Sequence, residues 1–308
     1  MRKQAIKAVL VVGFLCAPGF AQRVETPGEA DFALLPSHNI TRWNPGLAGS
    51  FESSWKDAEE SRLIEGRARS CIDARSLLLD SVAVGRGQHS HEVPIWRLPD
   101  SRAFFFISRM AIDADGAPNA YNPENTGLDE LANAGEPSRW DGIVTDRHGN
   151  PVIQKDNDPF PGYYISCTSL SDETKEFTDP ASYVNASKIP YVVLPREVAE
   201  RGGARLGDFA LVMNLRNGKS SFAIYADIGT LGEGSVALAD ALGIWSDARH
   251  GGQSDGILYL LFPESGNLRP RTIDEIQSEG EKLLHHWGGM KRLSDCIESD
   301  EPSGNEEF

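Results

Sequence analysis

The chain has 308 residues, 40% of them hydrophobic and 8% aromatic, which is enough for a sizeable core and excludes wholesale disorder. Its 45 acidic residues against 30 basic ones leave a formal charge of −15. That excludes nucleic acid as a partner for the whole domain, because binding it requires Lys and Arg to neutralise phosphates. It favours a cationic substrate, whose local concentration an acidic surface raises.

Residues 1–21 read as a secretory signal. Arg2, Lys3 and Lys7 form the positive end, Ala8 to Leu15 an apolar run too short to span a bilayer, and Gly19-Phe20-Ala21 a small-residue site for cleavage before Gln22. The expectation is a secreted or periplasmic protein with no membrane attachment after cleavage. Three cysteines then remain: Cys71, Cys167 and Cys296. One bridge plus a free thiol and three buried thiols are both compatible with that number, and no spacing suggests metal ligation.

Residues 22–87 read as a polar arm followed by a helical region. Pro36, Pro45 and Gly46 break the arm, and Trp55, Ala58, Leu63, Ile64, Ala68, Ile72, Ala74 and Leu77 to Leu79 recur at near-helical spacing. From Val93 the pattern changes to short runs rich in Val, Ile, Phe and Tyr: Val93 to Trp96, Phe104 to Met110, Tyr163 to Leu170, Tyr191 to Leu194, Phe209 to Asn214, Ser220 to Ala226 and Ile257 to Phe262. Two later segments read as helix. Val236 to Leu242 has Ser235 as N-cap and Gly243 at its stop; Ile273 to Trp287 opens on a Thr272/Glu275 capping box and ends at Gly288-Gly289. Residues 291–308 read as a disordered acidic tail. Many short strands with few peripheral helices predict a mainly β domain, a barrel or sandwich and α+β in broad class, over residues 88–290, acting as a monomer.

Asp227 ends one strand run, and Glu233 follows six residues later in a turn that also carries Gly229 and Gly232. Hydrolysis of a glycosidic bond needs such a pair: one carboxylic acid to protonate the leaving oxygen, and one carboxylate to activate water or attack directly. Spacing alone does not choose between the two stereochemical outcomes. Glu233 lies just before the helix opened by Ser235, whose dipole favours the ionised form, whereas a general acid must keep its proton. Asp113-Ala-Asp115-Gly116 closes another strand run. Glu124 stands at the twelfth position of a calcium-type loop, but Ala117 occupies the fifth, so a turn with aspartates capping backbone amides is the reading and no metal or cofactor is expected. Tyr121, Asn125, Trp140 and Tyr163 lie in or beside long polar loops, and their aromatic faces and amides suit sugar rings. Nucleophile elbows and phosphate-binding glycine loops are absent.

Asp113-Ala-Asp115-Gly116, Lys188-Ile-Pro190 through Pro195, Gly207-Asp208, Ala223 to Gly229 with Gly232-Glu233-Gly-Ser235, and Leu238 to Gly243 occur in an order that resembles glycoside hydrolase family 75, the fungal-type chitosanases. The resemblance spans about Phe104 to Phe262. It implies endo-acting hydrolysis of the β-1,4 bonds of chitosan with inversion, Glu233 as general acid and Asp227 as the base that activates water. Asp113, Asp115, Tyr121, Asn125, Tyr163 and Asp208 are the accompanying candidates for substrate contact. The chain differs from the fungal pattern in a shorter Asp-to-Glu turn, Thr230 in place of a proline, Ala114 in place of a cysteine, and long loops from Tyr121 to Pro161. The altered loops leave open another amino-sugar polymer, such as partly acetylated chitin or peptidoglycan glycan, or a non-catalytic carbohydrate-binding protein. The order of strands and turns also resembles double-psi β-barrels.

Overall fold

In the computed structural model, residues 77–85, 90–98, 101–137 and 139–298 are described. The signal, the polar arm, the helical spacing before residue 77 and the last ten residues lie outside them. The fold is mainly β. Ten strands run in chain order: β1 (Leu77–Val84), β2 (His91–Arg97), β3 (Phe104–Asp113), the short pair β4 (Gly135–Glu136) and β5 (Arg139–Trp140), then β6 (Tyr191–Leu194), β7 (Phe209–Asn214), β8 (Ser220–Ile228), β9 (Glu233–Ser235) and β10 (Gln253–Phe262). The helices are α1 (Arg196–Gly202), α2 (Val236–Ala241), α3 (Ile273–Trp287) and α4 (Gly289–Glu298).

Six strands close into a mixed barrel in the order β3-β10-β7-β8-β6-β9, with β9 returning to β3, while β2 and β1 extend the sheet beyond β3. The closing pair is parallel, Ala111 opposite Glu233 and Asp113 opposite Ser235, and Ala111 N–H donates to the Gly232 carbonyl at 2.9 Å. Closure removes the free edges that such apolar strands would otherwise expose. Both faces of the wall are apolar. On β6, Tyr191 and Val193 join one buried cluster with Phe105, Phe209, Leu211 and Ile224; Val192 and Leu194 join the other with Phe106, Ala210, Val212 and Tyr259. This period of two on doubly buried strands explains why their sequences read as continuous apolar runs.

Helix α3 packs on the first face. Its Gly280 lies so close to the Phe222 ring that an added Cβ would come within 2.4 Å of it. Thr272 and Glu275 form the predicted capping box.

Several elements differ from expectation. Leu77 to Leu79 continue a helical spacing in sequence but form strand β1, because pairing with β2 overrides that local pattern. Tyr163 to Leu170 forms no continuous strand, only isolated bridges such as Ile153 with Tyr164 and Ile143 with Ser166. It belongs to a long irregular excursion between β3 and β6. Glu233 sits on a strand and not in a turn, and α4 carries the chain to Glu298, past the expected start of the tail. Helix α1 has only seven residues, too short for a periodic signal, with Pro195 at its start and Gly203 in the left-handed region after it. Cys167 is engaged in a disulfide.

Candidate active site

The barrel wall sets the positions of the two carboxylates predicted to react. Along β8, alternation assigns Ala223 and Tyr225 to one face. Between Val192 and Val193 the β6–β8 register then steps by one residue, so that Val193 opposes Asp227 instead of Ala226. A one-residue step moves the following side chains to the other face, which brings Asp227 to the Val193 side. On the opposite flank of β6, Val193 pairs with Glu233 of β9. Asp227 and Glu233 therefore occupy one row, two inter-strand steps apart with Val193 between them. At about 4.8 Å per step their Cα atoms are about 10 Å apart.

Asp227 is 8% exposed. Its Oδ1 accepts three hydrogen bonds, from Ser169 N–H at 2.9 Å, Ser169 Oγ–H at 2.5 Å and Ile228 N–H at 2.8 Å. Burial pushes its carboxyl up to about 6, with the three donors acting in the opposite sense. Among the described residues no donor reaches Oδ2, so that oxygen is available to a water. Glu233 is half-buried; its Oε2 accepts from Thr230 N–H at 3.1 Å. Burial raises its carboxyl above the ordinary value, outweighing the Thr230 amide and the nearby Arg109 guanidinium. The opposing pull anticipated from a helix dipole is small beside this, since α2 has only six residues. Gly229 fits against both partners: a Cβ there would lie 2.9 Å from a Val193 methyl and 3.3 Å from Glu233 Oε2. Ser169, Gly229 and Thr230 are exposed, and through them the pair borders solvent.

Asp113 and Asp115, at the end of β3, join Asp227. Each of the three offers a carboxylate oxygen within 4.8 Å of the others, close enough to hold one cation or to share protons. Asp113 Oδ1 accepts from Asp115 N–H at 2.8 Å, the capped turn expected from Asp-x-Asp-Gly. Burial and then repulsion from Asp227 hold Asp113 well above the usual carboxylate range. Burial and then repulsion from Asp113 and Asp227 do the same for Asp115. Tyr121 O–H donates to Asp115 Oδ1 at 2.6 Å, and Tyr191 O–H to the Asp115 carbonyl at 3.0 Å. Gly142 makes room, since a Cβ there would meet the Asp115 carboxylate at 2.6 Å.

Residues 110–284, more than half of the chain, match the pattern of a family described as fungal chitosanase of glycosyl hydrolase group 75. The chain belongs to this family. It is thus a glycoside hydrolase, and chitosan is the substrate class the family supports. No curated protein matches the chain. The group 75 match runs from the end of β3 through the other five barrel strands and most of α3, and includes every carboxylate described above.

The remaining candidates are dispersed. Asn125, exposed and in a left-handed backbone conformation, uses its side-chain oxygen to accept from Leu131 N–H. Tyr163 lies on the outer excursion, edge-on to Phe160 at 5.6 Å. Asp208 accepts from the amides of Arg205, Glu264 and Gly266, which ties the start of β7 to the chain leaving β10. Its carboxylate is thereby committed to backbone. Sequence reasoning missed Ser169, Arg109 and Tyr191. Tyr191 stands inside a family-like segment, so a signal existed for it. Ser169 comes from an irregular loop 58 residues before Asp227, with no local pattern to mark it.

Proposed function

We propose that the protein is a secreted, endo-acting chitosanase that cleaves β-1,4 bonds with inversion, Glu233 serving as general acid and Asp227 as general base. The observation that carries this reading is the row Asp227–Val193–Glu233. In that row a buried and a half-buried carboxylate share one side of the wall, and Cα atoms about 10 Å apart are compatible with the about 6.5–9.5 Å between carboxyls that an inverting pair needs to admit a water. Protonated Glu233 gives its proton to the glycosidic oxygen as the C1–O bond breaks. Asp227 Oδ2 takes a proton from the water that attacks C1 on the opposite face, so a β-linkage yields an α-anomer. The raised carboxyl of Glu233 keeps a proton at hand, and the three donors on Asp227 Oδ1 fix the base in one orientation. Asp113, Asp115 and Tyr121 border the same space and are assigned to substrate contact. The acidic surface concentrates the polycation.

The test is release of reducing ends from chitosan by the wild type, Asp227→Asn and Glu233→Gln. Equal rates in all three would remove the site assignment. Proton NMR of the first product should show the α-anomer; a β-anomer at early times would exclude inversion.

A further inference from the structure

We propose that Arg249 is a positioning residue for the reaction, latching the 125–129 loop so that Tyr121 stays on Asp115 beside Asp227. The proposal rests on the reading of Asp227 and Glu233 as the reacting pair. Arg249 comes from the connection between α2 and β10, and it reaches a loop more than a hundred residues away in sequence. Its Nη2 lies 2.8 Å from the Asn125 carbonyl, 3.1 Å from that of Gly127 and 2.9 Å from that of Asp129, and Nε donates to Gly127 at 3.2 Å. Three alternate carbonyls of one curled loop thus converge on one guanidinium. A planar fork of donors can satisfy them together, whereas an ammonium offers a single point.

The arginine is itself held. Asp247 Oδ1 accepts from the amides of Arg249 and His250 at 2.9 Å each, and Gly252 N–H donates to the Trp245 carbonyl at 2.7 Å. Gly252 then packs against the Met110 carbonyl on β3, where a Cβ would come within 2.5 Å. The latch is therefore anchored to the barrel wall one residue before Ala111, the partner of Glu233.

On the far side of the latched loop a polar chain leads inward. Asp129, 4% exposed, is fixed by Glu130 N–H at 2.7 Å and Asn133 Nδ2 at 2.8 Å. Its Oδ2 stands 3.3 Å from the Tyr121 hydroxyl, which is 2.6 Å from Asp115 Oδ1. Asp115 in turn lies within the three-carboxylate group that contains Asp227. One hydroxyl proton faces two carboxyls, so the position of Asp129 decides which of them Tyr121 serves. Without Arg249, the 125–129 segment loses the donor to its Asn125, Gly127 and Asp129 carbonyls. The amide bonds of Leu128 to Asn119 and Asp129 to Ala120 are then left to hold Asp129 against Tyr121. A misplacement of about 1 Å caused by a change far from the chemistry can cost about 10²-fold in rate.

The test is a double-mutant cycle on chitosan hydrolysis with Arg249→Ala, Tyr121→Phe and the pair. Arg249→Ala alone should lower kcat by between about tenfold and a hundredfold with KM changed less than about threefold. In the Tyr121→Phe background it should cost less than about threefold more, because the two act through one path. Arg249→Lys should resemble Arg249→Ala. Equal factors in both backgrounds, an unchanged kcat, or wild-type behaviour of Arg249→Lys would each overturn the proposal. If Arg249→Ala does not fold, Asp129→Asn takes its place in the cycle under the same criteria. A wild type inactive on chitosan would count against the chitosanase reading and not the latch. The latch is then read by hydrogen exchange at the amides of Leu128, Asp129 and Leu131, which should quicken in Arg249→Lys, and unchanged protection there would refute it.

Discussion

Asp227 enters the site with one oxygen bound by three donors and the other open, while Glu233 has a single amide donor on one oxygen. This asymmetry fits the roles proposed for them, an oriented base and an acid free to turn toward a leaving group. Asp227→Asn and Glu233→Gln should each lower kcat on chitosan by about 10²- to 10⁴-fold, with far-UV circular dichroism unchanged. The base must be ionised to act, and its carboxyl is pushed up to about 6. The rate should therefore fall as pH drops through about 6, and a pH profile of kcat/KM flat down to pH 4 would contradict the assignment. At this scale the sequence pointed to Asp227 and Glu233, the pair proposed to react, because they flank a glycine-bearing turn in a family-like order. It did not show what surrounds them. Ser169 and Arg249 make their contacts across 58 and 124 residues, and such contacts leave no local trace.

Elements whose signal is local were the most legible. β6, β7 and α3 have the bounds that their composition and caps indicate, since apolar runs and a capping box depend on neighbours in sequence. β1, β9 and the 114–190 excursion were not legible. A three-residue strand such as Glu233–Ser235 is defined by its two partners and not by its own residues. The capping box makes α3 a separable test of packing against function. Thr272→Ala removes an acceptor for Glu275 N–H and a partner of its carboxylate. It should cost about 1 kcal/mol in chemical denaturation, while kcat and KM stay at wild-type values. A loss of activity would mean that α3 contributes to the site directly.

For the molecule as a whole, concentrating buried carboxylates at one place has a cost in stability. Asp113, Asp115 and Asp227 all hold their protons more tightly in the folded chain than in the unfolded one. Their contribution is fully present below the unfolded value near 4 and is lost as pH rises through the folded values. Asp146, Asp172 and Asp247 are shifted the other way, but they lie on exposed turns where such effects are weak. Asp113→Asn should therefore raise the Tm at pH 7.5 more than at pH 4.5, and equal shifts at both would show that charge is not the cause. The β-barrel class was legible from the many short apolar strands, but which strands meet to close it was not, because β3 and β9 pair in parallel across more than a hundred residues. The placement of Val193 between Asp227 and Glu233 has one further consequence. Their separation is measured in strand widths, and the connection from Gly229 to Gly232 does not enter it. Loop length at this point can thus change without resetting the spacing of the pair. Lengthening it by one or two glycines should preserve the anomer formed, even where it slows the enzyme.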